Sequence, residues 1–244
     1  MSLSYEALFS QRGSVYDRAM RRFPLARAQE FQQLVQAVPL QPGMLVADVP
    51  AGGGYLRQYL PQNCRWQGHE PCAAFQGGHG TRAASSLLPL PWADAAVDVV
   101  MSLAGIHHLD DKTPLFAEWL RVVKPRGRLV VSDVAAQSDV ARFLDDFVGR
   151  HNSTGHQGAF LGRNTVDTLR ALGWLVDHHA IVNFDWVFPD RQAMAAFCHE
   201  LFDLQNVSLE QTEAAIESRL GVSTLANGDV GMRWSLMTIV ATHP

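Results

Sequence analysis

Three consecutive glycines, Gly52-Gly53-Gly54, join an apolar run, Met44 to Val49, to the stretch Tyr55 to Leu60. No other segment limits the fold as much. The apolar run is too short for an ordinary helix and is bounded by turn signals, so it reads as a buried strand. Glycines reach positive φ and let a backbone approach a ligand closely. Tyr55 to Leu60 reads as the first turns of a helix, whose free N–H groups would face the polar end of that ligand. Taken alone, the segment is also compatible with a tight strand–helix connection that binds nothing.

The alternation continues downstream. Arg65 to His69, Val97 to Leu103 and Arg128 to Val134 are further strands, the second rich in β-branched residues. Thr113 to Val123 has helical spacing, with Leu115, Phe116, Trp119, Leu120 and Val123 on one side. Strands alternating with helices predict an α/β fold whose parallel sheet is covered on both faces. Ala141 to Arg150 and Thr165 to Leu172 read as helices, the latter ended by Gly173. His178 to Phe188 and Trp234 to Ala241 read as the last strands. Between them, Arg191 to Leu204 and Ser208 to Leu220 are helical, the second opened by a Ser208–Gln211 capping box. Residues 1–40 form an N-terminal helical cap interrupted at Pro24. Residues 41–244 form the core, with 191–220 as an insertion before the final strand.

The 244 residues are 47% hydrophobic and 18% charged, enough to bury a sizeable core. The net charge of −4 carries no basic footprint for a nucleic acid. Three widely spaced cysteines, with no Cys-x-x-Cys pair, suggest reduced thiols in a cytoplasmic protein. No stretch reads as a signal peptide or a membrane span.

Glu70 lies at the end of the second strand, 22 residues after Asp48. A carboxylate there can accept both hydroxyls of a ribose. His107 and His108 follow the Val97 to Leu103 strand, at the edge where open α/β sheets bind ligands. They read as a base or substrate contact, or as pocket lining. The sequence suggests no third ligand beside them, so no metal centre is expected. His151 and His156 lie in a polar, glycine-rich stretch, His151 to Gly162, which reads as a loop. Each is a possible base or substrate contact. The aromatic residues Phe184, Trp186, Phe188, Phe197, Phe202 and Trp234 suit either an apolar substrate pocket or ordinary core.

Five segments in order resemble the class I S-adenosylmethionine (SAM)-dependent methyltransferases, from about Pro42 to Val134. Asp48-Val-Pro-Ala-Gly-Gly-Gly54 is similar to the family's glycine motif, and His69-Glu70-Pro71 to its acidic ribose contact. Leu90-Pro-Trp92 with Asp94 to Asp98, then Ser102 to Asp111, then Val122 to Val131, are similar to its later motifs. The resemblance implies a Rossmann-like, doubly wound, seven-stranded, mostly parallel sheet with helices on both faces and a C-terminal helical lid insertion. It implies SAM as cofactor, held by Tyr16, Asp48, Pro50, Ala51, Gly52, Gly54, Glu70, Ser86, Leu103, Ala104 and His108. It implies methyl transfer to a small-molecule acceptor, with His108, His151 and His156 as possible bases. Two positions depart from the family pattern. Pro50 replaces its first glycine, and Ser85-Ser86 stand where an adenine-binding aspartate is usual. Two other readings remain: a non-catalytic SAM- or nucleotide-binding module, favoured by Pro50, and an NAD-linked oxidoreductase. The oxidoreductase lacks its Gly-x-Gly-x-x-Gly, because Tyr55, Leu56 and Arg57 follow Gly54.

Overall fold

A computed structural model describes residues 5–75, 82–84 and 86–244. Helices α1 (Tyr5–Arg22) and α2 (Ala28–Gln36) come first, parted by a turn that contains Pro24. The chain then alternates through β1 (Leu45–Asp48), β2 (Arg65–Glu70), β3 (Arg82–Ala83), β4 (Val97–Leu103), α3 (Thr113–Val122) and β5 (Val123–Asp133). After β5, short helices α4 (Asp139–Arg142) and α5 (Gly149–His151) flank a π-helical turn, Phe143–Val148. Next are α6 (Arg163–Ala171), β6 (Leu175–Phe188), α7 (Arg191–Leu201), α8 (Leu209–Arg219), β7 (Val222–Thr224) and β8 (Val230–Thr242).

The sheet runs in the order β3-β2-β1-β4-β5-β8-β6, with β7 paired to β8 beside that path. Pairing is parallel from β3 to β5 and antiparallel where β8 enters between β5 and β6. Seven strands thus form the main sheet, and β7 adds a short eighth. Side chains alternate between its faces. Val46, Val99, Met101 and Val130 join one core with Phe31, Phe143 and Trp186. Leu45, Ala47, Val100 and Leu129 join the other with Phe116, Trp119 and Trp174. Each such fully buried side chain contributes about 1.5–3 kcal/mol of apolar transfer.

The residues expected to open a helix after the glycines, Tyr55–Tyr59, make only a short 3-10 turn. Leu60 is already extended (ψ 147°), as a residue before a proline prefers. The expected helix N-terminus for a ligand is therefore missing from this turn. The Ser208–Gln211 capping box forms in both directions. Helices α7 and α8 occupy the stretch between β6 and β8, and α7 packs on α1. Residues of α1 and α2, among them Met20, Phe31 and Leu34, belong to the same core as the sheet. Among the described residues, no helix is long and apolar enough to cross a membrane.

Candidate active site

Two cavities lie side by side at the carboxyl ends of β1 and β4. The first covers the glycine turn. Its wall includes seven of the residues expected to hold the cofactor: Asp48, Pro50, Ala51 and Gly52 from the turn, Leu103 and Ala104 after β4, and Tyr16 from α1. Gly52 and Gly54 adopt φ of 53° and 75°, where a side chain would be strained. Pro50 packs against Gly105, and a Cβ on Gly105 would fall 2.8 Å from the Pro50 ring. The departure at position 50 is thus accommodated by a glycine across the cavity.

Glu70 is completely buried at the end of β2. Its Oε2 accepts the Gly52 N–H (2.7 Å) and the Tyr5 hydroxyl (3.0 Å), and Oε1 accepts the Cys72 N–H (2.8 Å). Burial pushes its carboxyl up to about 7, against the lowering effect of those three donors. Asp48 is raised as well, by burial first, while the Trp66 indole N–H donates to it and pulls the other way. Tyr5 therefore occupies the carboxylate expected to meet a ribose, and Glu70 stands behind the cavity wall. Gly54 shapes the turn without lining the cavity. Ser86 does not line it either: it is exposed and donates to the Leu88 carbonyl (2.7 Å). Ser85 lies outside the described residues.

The second cavity shares Phe9, Tyr16, Arg27 and Ala104 with the first. Trp186 and Trp234, stacked at 4.2 Å, and Phe202 give it an aromatic side. Phe188 and Phe197 stay in the core, so the aromatic tail serves both purposes. Buried Arg27 is held bidentately by Glu30 (2.7 and 2.6 Å), which also accepts the Trp186 indole N–H (2.7 Å). Arg12, also buried, lines the chamber with its Nε and Nη1 unpartnered. Burial lowers its guanidinium to about 10.

His107, His108 and His156 all line this chamber. His108 belongs to it rather than to the cofactor cavity, where the sequence put it. Asp133, at the end of β5, fixes the turn that carries the first two. Its Oδ2 accepts the backbone N–H groups of Ile106 (2.9 Å) and His107 (3.0 Å), and its Oδ1 lies 2.6 Å from His107 Nδ1. Burial would raise Asp133, but His107 and the backbone N–H groups of Val134 and His107 bring it below the ordinary value. His156 arrives from the other side, with Nδ1 2.9 Å from Asp145 Oδ1 in the π-helical turn. The stretch 151–162 is pinned: Asn152 donates to the Phe202 carbonyl and accepts from Thr154 N–H (2.8 Å). Burial, then neighbouring positive groups, lowers His108 well below its ordinary value. Burial likewise lowers His156, against the raising effect of Asp145.

His151 is the exception among the expected bases. Its ring packs on Phe147 at 5.1 Å, and it lines neither cavity. The expectation that His107 and His108 lack a third ligand is also corrected. One ring nitrogen from each of His107, His108 and His156 lies within 4.8 Å of the others. The sequence suggested that the N-terminal helices, with Tyr5 and Tyr16, close over the cofactor; it gave no notice of Phe9, Arg12 and Arg27. For Phe9 and Arg12 the one signal was spacing: positions 5, 9, 12 and 16 share one face of a helix.

The family model described as a methyltransferase domain matches residues 47–131. An arsenite methyltransferase of Halobacterium salinarum is 36% identical over 83 residues, 34% of this chain and 20% of that protein. The chain thus spans about a fifth of that relative's length. Among solved structures, the cyclase SpnF has a TM-score of 0.66 at 15% identity, covering 100% of this chain and 97% of its own. Geranyl diphosphate C-methyltransferase from Streptomyces coelicolor, solved with Mg2+, geranyl diphosphate and S-adenosyl-L-homocysteine, has a TM-score of 0.53 at 16% identity. That likeness covers 94% of this chain and 84% of the other. The first cavity sets buried Asp48 beside a positive-φ glycine turn, with buried Glu70 behind its wall. Residues 47–131 thus match a methyltransferase domain, and the chain shares its fold with solved methyltransferases.

Proposed function

We propose that this chain transfers a methyl group from SAM to a small-molecule acceptor bound in the aromatic and histidine-lined chamber. The observation that carries this reading is the shared wall of Phe9, Tyr16, Arg27 and Ala104 between the two cavities. When bound, the cofactor supplies an activated methyl on a sulfonium. Asp48, Ala51, Gly52, Leu103, Ala104 and Tyr16 would hold it. Glu70 would meet its ribose once the Tyr5 hydroxyl withdraws. The protein's own part is positioning and exclusion of water, since an in-line displacement gains most from a held approach in a dry site. Trp186, Trp234 and Phe202 would seat the acceptor's apolar body, and α7 with α8 would act as a lid. His108 and His156 are the expected bases that line the chamber, so activation of the acceptor falls to the histidine cluster.

The test is formation of S-adenosyl-L-homocysteine from SAM on mixing with fractionated metabolite pools, alongside calorimetry with SAM. Alanine at His108 or His156 is expected to cut turnover ~10²-fold or more while leaving SAM affinity within about 2-fold, as removal of acid–base help does. His151→Ala is expected to turn over normally. Unchanged turnover in both chamber variants would remove the histidines from the reaction. A second reading, a SAM-binding module without transfer, is favoured by the Tyr5–Glu70 contact. SAM binding without product from any pool would select it.

A further inference from the structure

We infer that His107, His108 and His156 form a binding site for one divalent transition-metal ion of the zinc type. Three features converge on this. First, the three side chains each bring a ring nitrogen to within 4.8 Å of the other two, from a turn after β4 and from a separate loop. Their ring centroids are 4.1, 5.5 and 5.5 Å apart. Imidazoles at about 2.0–2.1 Å from a tetrahedral zinc place their centroids about 5 Å apart and their nitrogens about 3.4 Å apart. Small ring rotations close the remaining gap, and His108, with no carboxylate holding it, is the ring free to make them.

Second, the other ring nitrogens are already committed. Nδ1 of His107 faces Asp133 at 2.6 Å, and Nδ1 of His156 faces Asp145 at 2.9 Å. A proton on Nδ1, donated to the carboxylate, leaves the lone pair on Nε2. This carboxylate–imidazole pairing is how proteins orient and strengthen metal-ligating histidines. The carboxylates are oriented in turn: Asp133 by three backbone N–H groups, Asp145 by the Gly158 N–H (3.0 Å). Two independent carboxylates, from β5 and from the π-helical turn, thus impose the same tautomer on two of the three rings.

Third, the position opposite the imidazoles is open to the chamber, since all three residues line it. Three protein ligands plus one open position are the pattern of a reactive rather than a structural zinc site. Magnesium and calcium prefer oxygen donors, so three imidazoles select a transition metal. Two cations flank the site. Lys112 donates to the carbonyls of Leu109 and Ala159 (2.7 and 2.6 Å). Arg12, with two unpartnered nitrogens, faces the same chamber. An anionic oxygen on the acceptor would satisfy Arg12 and the open metal position together. A nitrogen that ligates metal cannot take a proton, so an occupied site would activate the acceptor by polarising its oxygen.

Metal binding is read without cofactor or turnover, so its failure and the failure of methyl transfer are separate results. The experiment titrates Co2+ into tag-free, chelator-stripped full-length protein and follows its visible absorption. One equivalent is expected, with the intense spectrum of a low-coordinate site and displacement by Zn2+. His156→Ala and His108→Ala should each weaken binding at least ~100-fold, and Asp145→Asn about 10–100-fold. The double variant His178→Ala/His179→Ala, on the exposed edge of β6, should bind as the parent does. Proton NMR of the Co2+ form needs no variant: it should show signals shifted by the metal from three imidazoles, two with an exchangeable Nδ1–H. No saturable binding, unchanged affinity in His156→Ala, loss of binding in the β6 variant, or fewer than three shifted imidazoles would each overturn the site.

Discussion

At Glu70 the proposed role and the local environment pull in opposite directions. As the proposed ribose contact it would accept best when ionised, yet burial holds its carboxyl up near 7. Its folded-state value exceeds its ordinary 4.5, so between those two pH values the native state keeps a proton that the unfolded chain has lost. Stability contributed by Glu70 is therefore present below 4.5 and lost as pH rises through 7. His108 and His156 run the other way. Their folded values lie below 6.5, so stability falls as pH drops beneath that value. Glu70→Gln cannot ionise. Whatever fixed offset the amide introduces, the variant should gain on the parent as pH rises from 4.5 to 7, by the order of 3 kcal/mol at 1.36 kcal/mol per pH unit. Urea unfolding across that range checks this, and parallel pH curves for the two proteins would refute it.

At the scale of elements, the chamber depends on how the π-helical turn and α5 receive the 151–162 loop. A Cβ on Gly149 would fall 2.8 Å from the His156 carbonyl oxygen. That neighbour is backbone and cannot rotate away. Gly149→Ala should push the loop off α5, cost about 1–3 kcal/mol as overpacking does, and separate His156 from Asp145. The check is a thermal melt together with the pH titration of His156 by NMR, which should move toward an ordinary imidazole. The strands and the glycine turn were legible in the sequence because a strand and its turn are local, written in consecutive residues. The five motifs extended that reading to β5. The 3-10 turn after Gly54 was not foreseen, because Pro61 outweighed the helical spacing before it. Nor was the histidine trio, since His156 is brought to His107 by long-range contacts, among them Asp145 with His156 and the Ala159 N–H with the His107 carbonyl, that no spacing encodes. His151 and His156 looked alike in the sequence; packing of the first on Phe147 and pairing of the second with Asp145 separate them.

Across the whole molecule, the Arg27–Glu30 pair ties α2 to β6 through the Trp186 indole. Both partners are buried, and removing one leaves the other's charge stranded, at about 3–5 kcal/mol. Glu30→Gln should lose that much in urea unfolding; a loss below about 1 kcal/mol would mean that Arg27 is satisfied elsewhere. Surface pairs such as Arg18–Glu200, between α1 and α7, should matter far less. One stripe of α1, Tyr5, Phe9, Arg12 and Tyr16, faces both cavities. A helix turns as a rigid body, so a shift that admits one molecule also reshapes the seat of the other. Occupancy of the two seats is then linked, and linkage is symmetric: the factor by which the donor alters the acceptor's affinity is the factor by which the acceptor alters the donor's. The first helix, outside the matched domain, would thereby couple the two seats of the proposed reaction.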